Sequence, residues 1–217
     1  MKTRLIATLV LGLAASAAFA ADDAPRSGTR TFPFKAFLDD KPIGEHRFTV
    51  VTDGATRKVT SEADFAVKFL GFNAYRYHHH VEEQWAGECL SSLVSSTDDD
   101  GKPASVKLLK SGGVNEITTL AGKKSEPGCL MTYAYWNPAL REQKRLLNPQ
   151  TGKVDAVTIE RVGSGHVVVA GKDVVATDWR ITGGESPVDV WLSDAGEWVG
   201  LDSMVSNGRH KLTYRLP

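Results

Sequence analysis

The sequence predicts a mainly β, antiparallel, single-domain protein with one short helix near residues 137–147. Three observations predict this. Short runs of alternating apolar and polar residues recur from Phe32 to Leu216. Turn dipeptides break them, among them Asp53-Gly54, Gly183-Gly184 and Asn207-Gly208. No fixed-period repeat, low-complexity tract or long linker marks a boundary, so 32–217 reads as one β-rich domain.

The elements follow in chain order. Phe32, Phe34 and Leu38 open a first strand, closed by a turn at Asp39-Asp40-Lys41-Pro42. His46, Phe48 and Val50 alternate along a second, and Arg57 to Val67 forms a third. Residues 74–85 (AYRYHHHVEEQW) form a long strand. Because successive side chains point to opposite faces, Tyr75, Tyr77, His79, Val81 and Trp85 share one face. Arg76, His78, His80, Glu82 and Gln84 share the other. Leu90 to Thr97 ends at the turn Asp98-Asp99-Asp100-Gly101, and shorter strands are expected at Lys107–Leu109 and Ile117–Leu120. Asn137 is a good N-cap, Pro138 suits a first helical position and Asn148-Pro149 is a stop, which predicts a helix over 137–147. Blocks at Val154–Val162 and His166–Val169 follow, separated by a glycine-rich loop. The last third reads as a β-meander: Val174–Ile181, Val188–Leu192, Trp198–Val205 and His210–Leu216.

The N-terminal residues read differently. Lys2 and Arg4 precede an apolar run from Leu5 to Leu13, and Ala18-Phe19-Ala20 follows. That order predicts a signal peptide over 1–20 with cleavage after Ala20, a flexible leader over 21–31, and export to the periplasm. The apolar run is shorter than the ~20 residues needed to span a bilayer, so the chain is not expected to span a membrane. The 26 basic and 26 acidic side chains become 24 and 26 once Lys2 and Arg4 are removed. No basic surplus is left to neutralise phosphates, and nucleic acid is not an expected partner. Cys89 and Cys129 are an even count in an oxidising compartment, and a disulfide is the default reading.

Several stretches resemble a family. Residues 43–48 (IGEHRF), 75–85 (YRYHHHVEEQW) with Cys89-Leu90, 129–152 (CLMTYAYWNPALREQKRLLNPQTG) and 191–202 (WLSDAGEWVGLD) carry the resemblance. They are similar to an uncharacterised family of exported bacterial proteins, a domain of unknown function with catalogue number 6134. It is related to a larger group of exported β-proteins. The likeness runs from about Phe32 to Leu216 and implies an exported β-structure with a paired cysteine. With the alternation, it implies a strongly curved antiparallel sheet or open β-barrel. It supplies no catalytic or binding residues, and fold alone does not supply function.

His78 and His80 share a strand face with Glu82, and imidazoles at i and i+2 can chelate one metal ion. A solvated polar face explains the same pattern. Asp98-Asp99-Asp100-Gly101 lacks the spacing of a calcium loop and reads as a turn. No G-x-S-x-G elbow, phosphate loop or dinucleotide fingerprint occurs. Tyr75, Tyr77, Tyr133, Tyr135 and Trp136 are candidates to line an apolar groove on a curved sheet, with core packing as the alternative. The expectation is a non-enzymatic binding or carrier module for an apolar or lipid-like envelope ligand, with no cofactor. The alternatives are a metal-assisted hydrolase using His78, His80 and Glu82, and a structural or interaction protein of the envelope.

Overall fold

The computed structural model describes residues 27–69 and 72–217. The expected signal peptide and residues 21–26 of the expected leader lie outside them. The strands are β1 (Gly28–Leu38), β2 (Lys41–Asp53), β3 (Thr56–Phe69), β4 (Phe72–Ala86), β5 (Cys89–Asp99), β6 (Lys102–Ser111), β7 (Val114–Thr119) and β8 (Gly122–Pro127). After them come β9 (Met131–Thr132), a 3-10 helix (Pro138–Glu142), β10 (Arg145–Leu147) and β11 (Val154–Ala156). The chain closes with β12 (Thr158–Val169), β13 (Lys172–Thr182), β14 (Val188–Ser193), β15 (Trp198–Val205) and β16 (His210–Arg215).

Thirteen strands form one sheet in the order β12-β13-β14-β15-β16-β1-β2-β3-β4-β5-β6-β7-β8. Every neighbour is antiparallel, and nearly all are joined by hairpins. The exception is the pairing of β1 with β16, which unites the two ends of the meander. No pairing joins β8 to β12 among the described residues, so the sheet is open. Its inner faces nevertheless share one core, from Phe34 on β1 to Ile117 on β7 and Ile159 on β12. That sharing requires the sheet to curl, as the alternation together with the family resemblance implies.

The local chemistry explains the turns. Asp39 and Asp40 both have positive φ, at 48° and 64°, the primed-turn geometry whose twist matches the strands it connects. β1 begins at Gly28, so residues 28–31, expected in a flexible leader, pair instead with Thr49–Thr52. The glycine-rich stretch at 163–165 is not a loop between two blocks. It lies inside β12, where the register against β13 shifts between Arg161 and Gly163 as at a bulge. Beyond that shift, β12 touches β15 and β16. There Val167, Ala176 and Val199 form a small second core.

The helix expected over 137–147 is corrected. Asn137 does cap a helical start, its side chain accepting from the Ala139 amide. The helix is a single 3-10 turn ending at Gln143, whose backbone is extended. Arg145–Leu147 pairs with β11 on one side and runs parallel to β9 on the other. Five residues gain too little from helical hydrogen bonds to offset nucleation, and Leu146 and Leu147 are buried completely by turning to strand.

This segment, from Gly128 to Val157, fills the concave side of the sheet like a plug. Leu130, Met131, Ala134, Leu140, Leu146, Leu147 and Val157 all belong to the main core. It is tied down at several points. The Cys89–Cys129 disulfide joins its start to the beginning of β5. The Leu90 amide donates to the Leu130 carbonyl at 2.8 Å, and the Ser95 hydroxyl to the Pro149 carbonyl at 2.6 Å. Arg145 pairs with Glu126 on β8.

Candidate functional site

The floor of the site follows from strand register. On the inner face, His46, Ala63 and His79 stand side by side across β2, β3 and β4. The next row is Phe48, Ser61 and Val81, and the next is Val50, Val59 and Glu83. The small Ala63 and Ser61 side chains keep the middle of this floor low. Polar groups on a buried sheet face need partners, and most here have them. His46 Nε2 lies 2.7 Å from the Ser61 hydroxyl and Nδ1 lies 3.2 Å from the Tyr214 hydroxyl. A neutral imidazole has one donor and one acceptor, so one hydroxyl donates to the ring and the other accepts from it. His79 Nδ1 lies 2.8 Å from the Thr97 hydroxyl on β5. The Trp85 indole N–H donates to Glu83 Oε2 at 2.9 Å.

Burial sets the protonation of these groups. It pushes His46 down to about 3 and His79 down to about 4, so both are neutral near pH 7. It pushes the Glu83 carboxyl up to about 7, against the opposing hydrogen bonds from Thr132 and Trp85. Burial likewise raises Tyr135 and Tyr214, which stay protonated.

The plug does not fill the space above this floor. A cavity of about 280 Å³ lies between them. Its floor is His46, Phe48, Val59, Ser61, His79, Val81 and Glu83. Its roof is Thr132–Trp136 with Asn148–Gln150, and its far wall is Leu201, Ser203, Val205, Leu212 and Tyr214. Residues 184–186 and Val188 complete the lining. The Gly183–Gly184 turn is pressed against the plug: a Cβ on Gly183 would stand 2.0 Å from the Ala156 carbonyl oxygen. One on Gly184 would stand 2.6 Å from the Tyr133 hydroxyl, which itself donates to Asp155 at 2.9 Å.

The aromatic candidates divide. Tyr133, Tyr135 and Trp136 line the cavity; Tyr75 and Tyr77 do not. The Tyr77 ring stacks on Phe65, with centroids 5.4 Å apart, and Tyr75 donates to Asp99 at 2.6 Å. Tyr135 packs on Trp198 at 5.2 Å, within a ring cluster that includes Phe34 and Phe48. Trp136 meets Trp85 edge-on at 5.5 Å, and the Arg57 guanidinium lies 5.6 Å over its ring.

The histidine run lies as alternation predicts, with His79 inside and His78 and His80 on the outer face. His78 faces Asp64 across the strand pair at 3.3 Å, while His80 lies 3.5 Å from Glu62 and 3.6 Å from Glu82. Among the described residues no group of three or more His, Cys, Asp or Glu is gathered to hold a metal ion. Sequence reasoning missed His46, Ser61, Glu83 and Tyr214 as site residues. Alternation sets His46 on the face of Phe48 and Val50, but its partners Ser61 and Tyr214 come from β3 and β16, and those of Glu83, Trp85 and Thr132, from β4 and β9.

The His46–Ser61 contact has the distance of a base and its nucleophile. The other ring nitrogen, however, meets a phenol rather than a carboxylate, and a histidine held near 3 is a weak base at neutral pH. What the arrangement does well is offer hydrogen-bonding groups, neutral at His46 and His79 and titrating close to neutrality at Glu83, at the base of a chamber of mixed polar and apolar lining.

A family model described as a domain of unknown function, DUF6134, matches residues 34–216. No curated protein matches the sequence. Among solved structures, the chain is similar to a β-barrel-like protein of domain of unknown function DUF1849 from Brucella abortus. The TM-score is 0.59 at 11% identity, covering 89% of this chain and 97% of that one, a likeness of fold. Among the described residues no helix is long and apolar enough to cross a membrane.

Proposed function

The chain belongs to the DUF6134 family, and from the geometry of its cavity we propose that it is an exported, periplasmic, non-enzymatic binding module for a small apolar or lipid-like ligand. The observation that carries this reading is the chamber of about 280 Å³ between the curved sheet and the plug, where rings and aliphatic side chains such as Phe48, Val81, Trp136 and Leu201 are interspersed with polar ones such as Ser61, Glu83 and Asn148. Ligand pockets are typically concave at ~300–1,000 Å³, so this one lies just below the lower bound. A single short chain or a compact ring system suits it better than a lipid with several acyl chains. Burial of apolar surface supplies affinity at roughly 25 cal/mol per Å² without a catalytic constellation. The basic, apolar and A-x-A sequence at the N-terminus supports export, and the Cys89–Cys129 disulfide suits an oxidising compartment.

The test is mass spectrometry of an organic extract from protein purified without detergent from its native cells. A reproducible small molecule near one equivalent is expected, and Leu212→Trp, which puts a ring into the chamber, should abolish it. An empty wild-type extract that matches the variant's counts against the reading. N-terminal sequencing of the same preparation should begin at Ala21; retention of Met1 would sink the export claim. One equivalent of bound metal by elemental analysis would favour the metal-assisted hydrolase centred on His78, His80 and Glu82 instead.

A further inference from the structure

We propose that the chamber selects a cationic ligand, a small protonated amine with an apolar body, and that Glu83 receives the ammonium group. The proposal rests on the binding reading above and names its ligand class. Three observations carry it.

The first is the charge of the wall. The lining contains two carboxylates, Glu83 and Glu185, and no lysine or arginine. Its two histidines are held neutral by burial. Arg57, on the same face of β3 as Val59 and Ser61, lies behind the Trp136 ring and outside the lining, its charge already paired with Glu88 at 2.6 Å. A carboxylate or phosphate ligand would therefore enter with no counter-charge, and an unpaired buried charge is costly.

The second is Glu83 itself. It is 7% exposed and sits on the cavity floor. Glutamate is rarely buried this far without a cationic partner, and here the partners are neutral: the Trp85 indole and the Thr132 hydroxyl. An ammonium would supply the missing counter-charge and convert a destabilising burial into a charge-assisted contact.

The third is the company of that carboxylate. Tyr133, Tyr135 and Tyr214 line the same chamber, and aromatic rings attract cations that are shielded from water.

The experiment is calorimetric titration of the whole mature protein at pH 7.5 with three probes of one shape: n-hexylamine, n-hexanol and n-hexanoate. The amine should bind about tenfold or more tightly than hexanoate, as a charge-assisted contact implies. In Glu83→Gln, near-isosteric, the amine should fall to the affinity of hexanol while hexanol itself is unchanged. Hexanoate equal to the amine in the wild type overturns the charge selection without needing any variant to fold. So does an amine preference that survives in a folded Glu83→Gln protein. Either result, with hexanol still bound, leaves the chamber a binding site for neutral apolar molecules. Failure of all three probes overturns both this proposal and the binding reading.

Discussion

Glu83 and His46 are buried ionisable groups whose protonation burial moves in opposite senses, so together they shape how stability depends on pH. The Glu83 carboxyl is raised from 4.5 to about 7. The unfolded chain loses this proton first as pH rises, so the stability Glu83 contributes is full below about 4.5. It is lost as pH rises to about 7. The difference corresponds to about 3 kcal/mol at pH 8. Replacing Glu83 by Gln should therefore raise denaturation stability at pH 8 by on the order of 2–3 kcal/mol and change little at pH 4, as urea titrations at the two pH values would read. Equal effects at both would refute the assignment. His46 and His79 are depressed from 6.5 to about 3 and about 4, so their contribution is full above 6.5. It is lost as pH falls toward those values, because the unfolded chain takes up protons that the folded one refuses. That acid limb should survive in Glu83→Gln and shrink in His46→Gln.

At the scale of elements, the turn between β13 and β14 decides the shape of the cavity wall. Gly183 has φ of +100°, and a Cβ there would meet the Ala156 carbonyl oxygen at 2.0 Å. Gly183→Ala should cost roughly 2 kcal/mol or more, through left-handed strain and a backbone clash that a side-chain rotation cannot relieve. It should also weaken whatever the cavity binds, because residues 184–186 lie on its lining. Gly28→Ala, at an open position in β1 with no close neighbour, is the matched control and should be near neutral in the same melt. The plug shows how tertiary context overrides a local signal. Asn137 and Pro138 begin a helix as their chemistry dictates, yet Leu146 and Leu147 are claimed by the core and by backbone pairing with β9 and β11.

At the scale of the whole molecule, an open sheet whose interior is stopped by its own chain depends on how firmly the plug is held. The Cys89–Cys129 disulfide closes a separation of 40 residues that spans β5 to β8. By chain entropy such a link is worth about 3–4 kcal/mol. Replacing both cysteines by serine should lower unfolding stability by that order, read from urea midpoints of the variant against the wild type. Adding reductant should do the same to the wild type and nothing to the variant. The exposed edge is managed separately. β8 carries Lys123, Lys124, Glu126 and Pro127, charges and a missing donor that discourage pairing with another chain.

The sequence by itself determined most of the long strands, the faces of β4, many of the turns and the cysteine pair. Each of these is a local property: alternation at period 2, residues that accept positive φ, and an even cysteine count. It also placed Tyr133, Tyr135 and Trp136 together, since they are adjacent in the chain and lie on the segment that became the roof. The order of strands across the sheet, the β1–β16 pairing and the descent of residues 128–157 into the concave face were decided only in three dimensions. The same holds for the site. His46, Ser61, Glu83 and Tyr214 are far apart in sequence and meet through register and curvature. Their ionisation follows from burial beneath a plug that no local pattern announces. Tyr75 and Tyr77 obey the same alternation as Val81, yet they lie beyond the chamber, because a strand pattern gives the face of a residue and not its position beneath the roof.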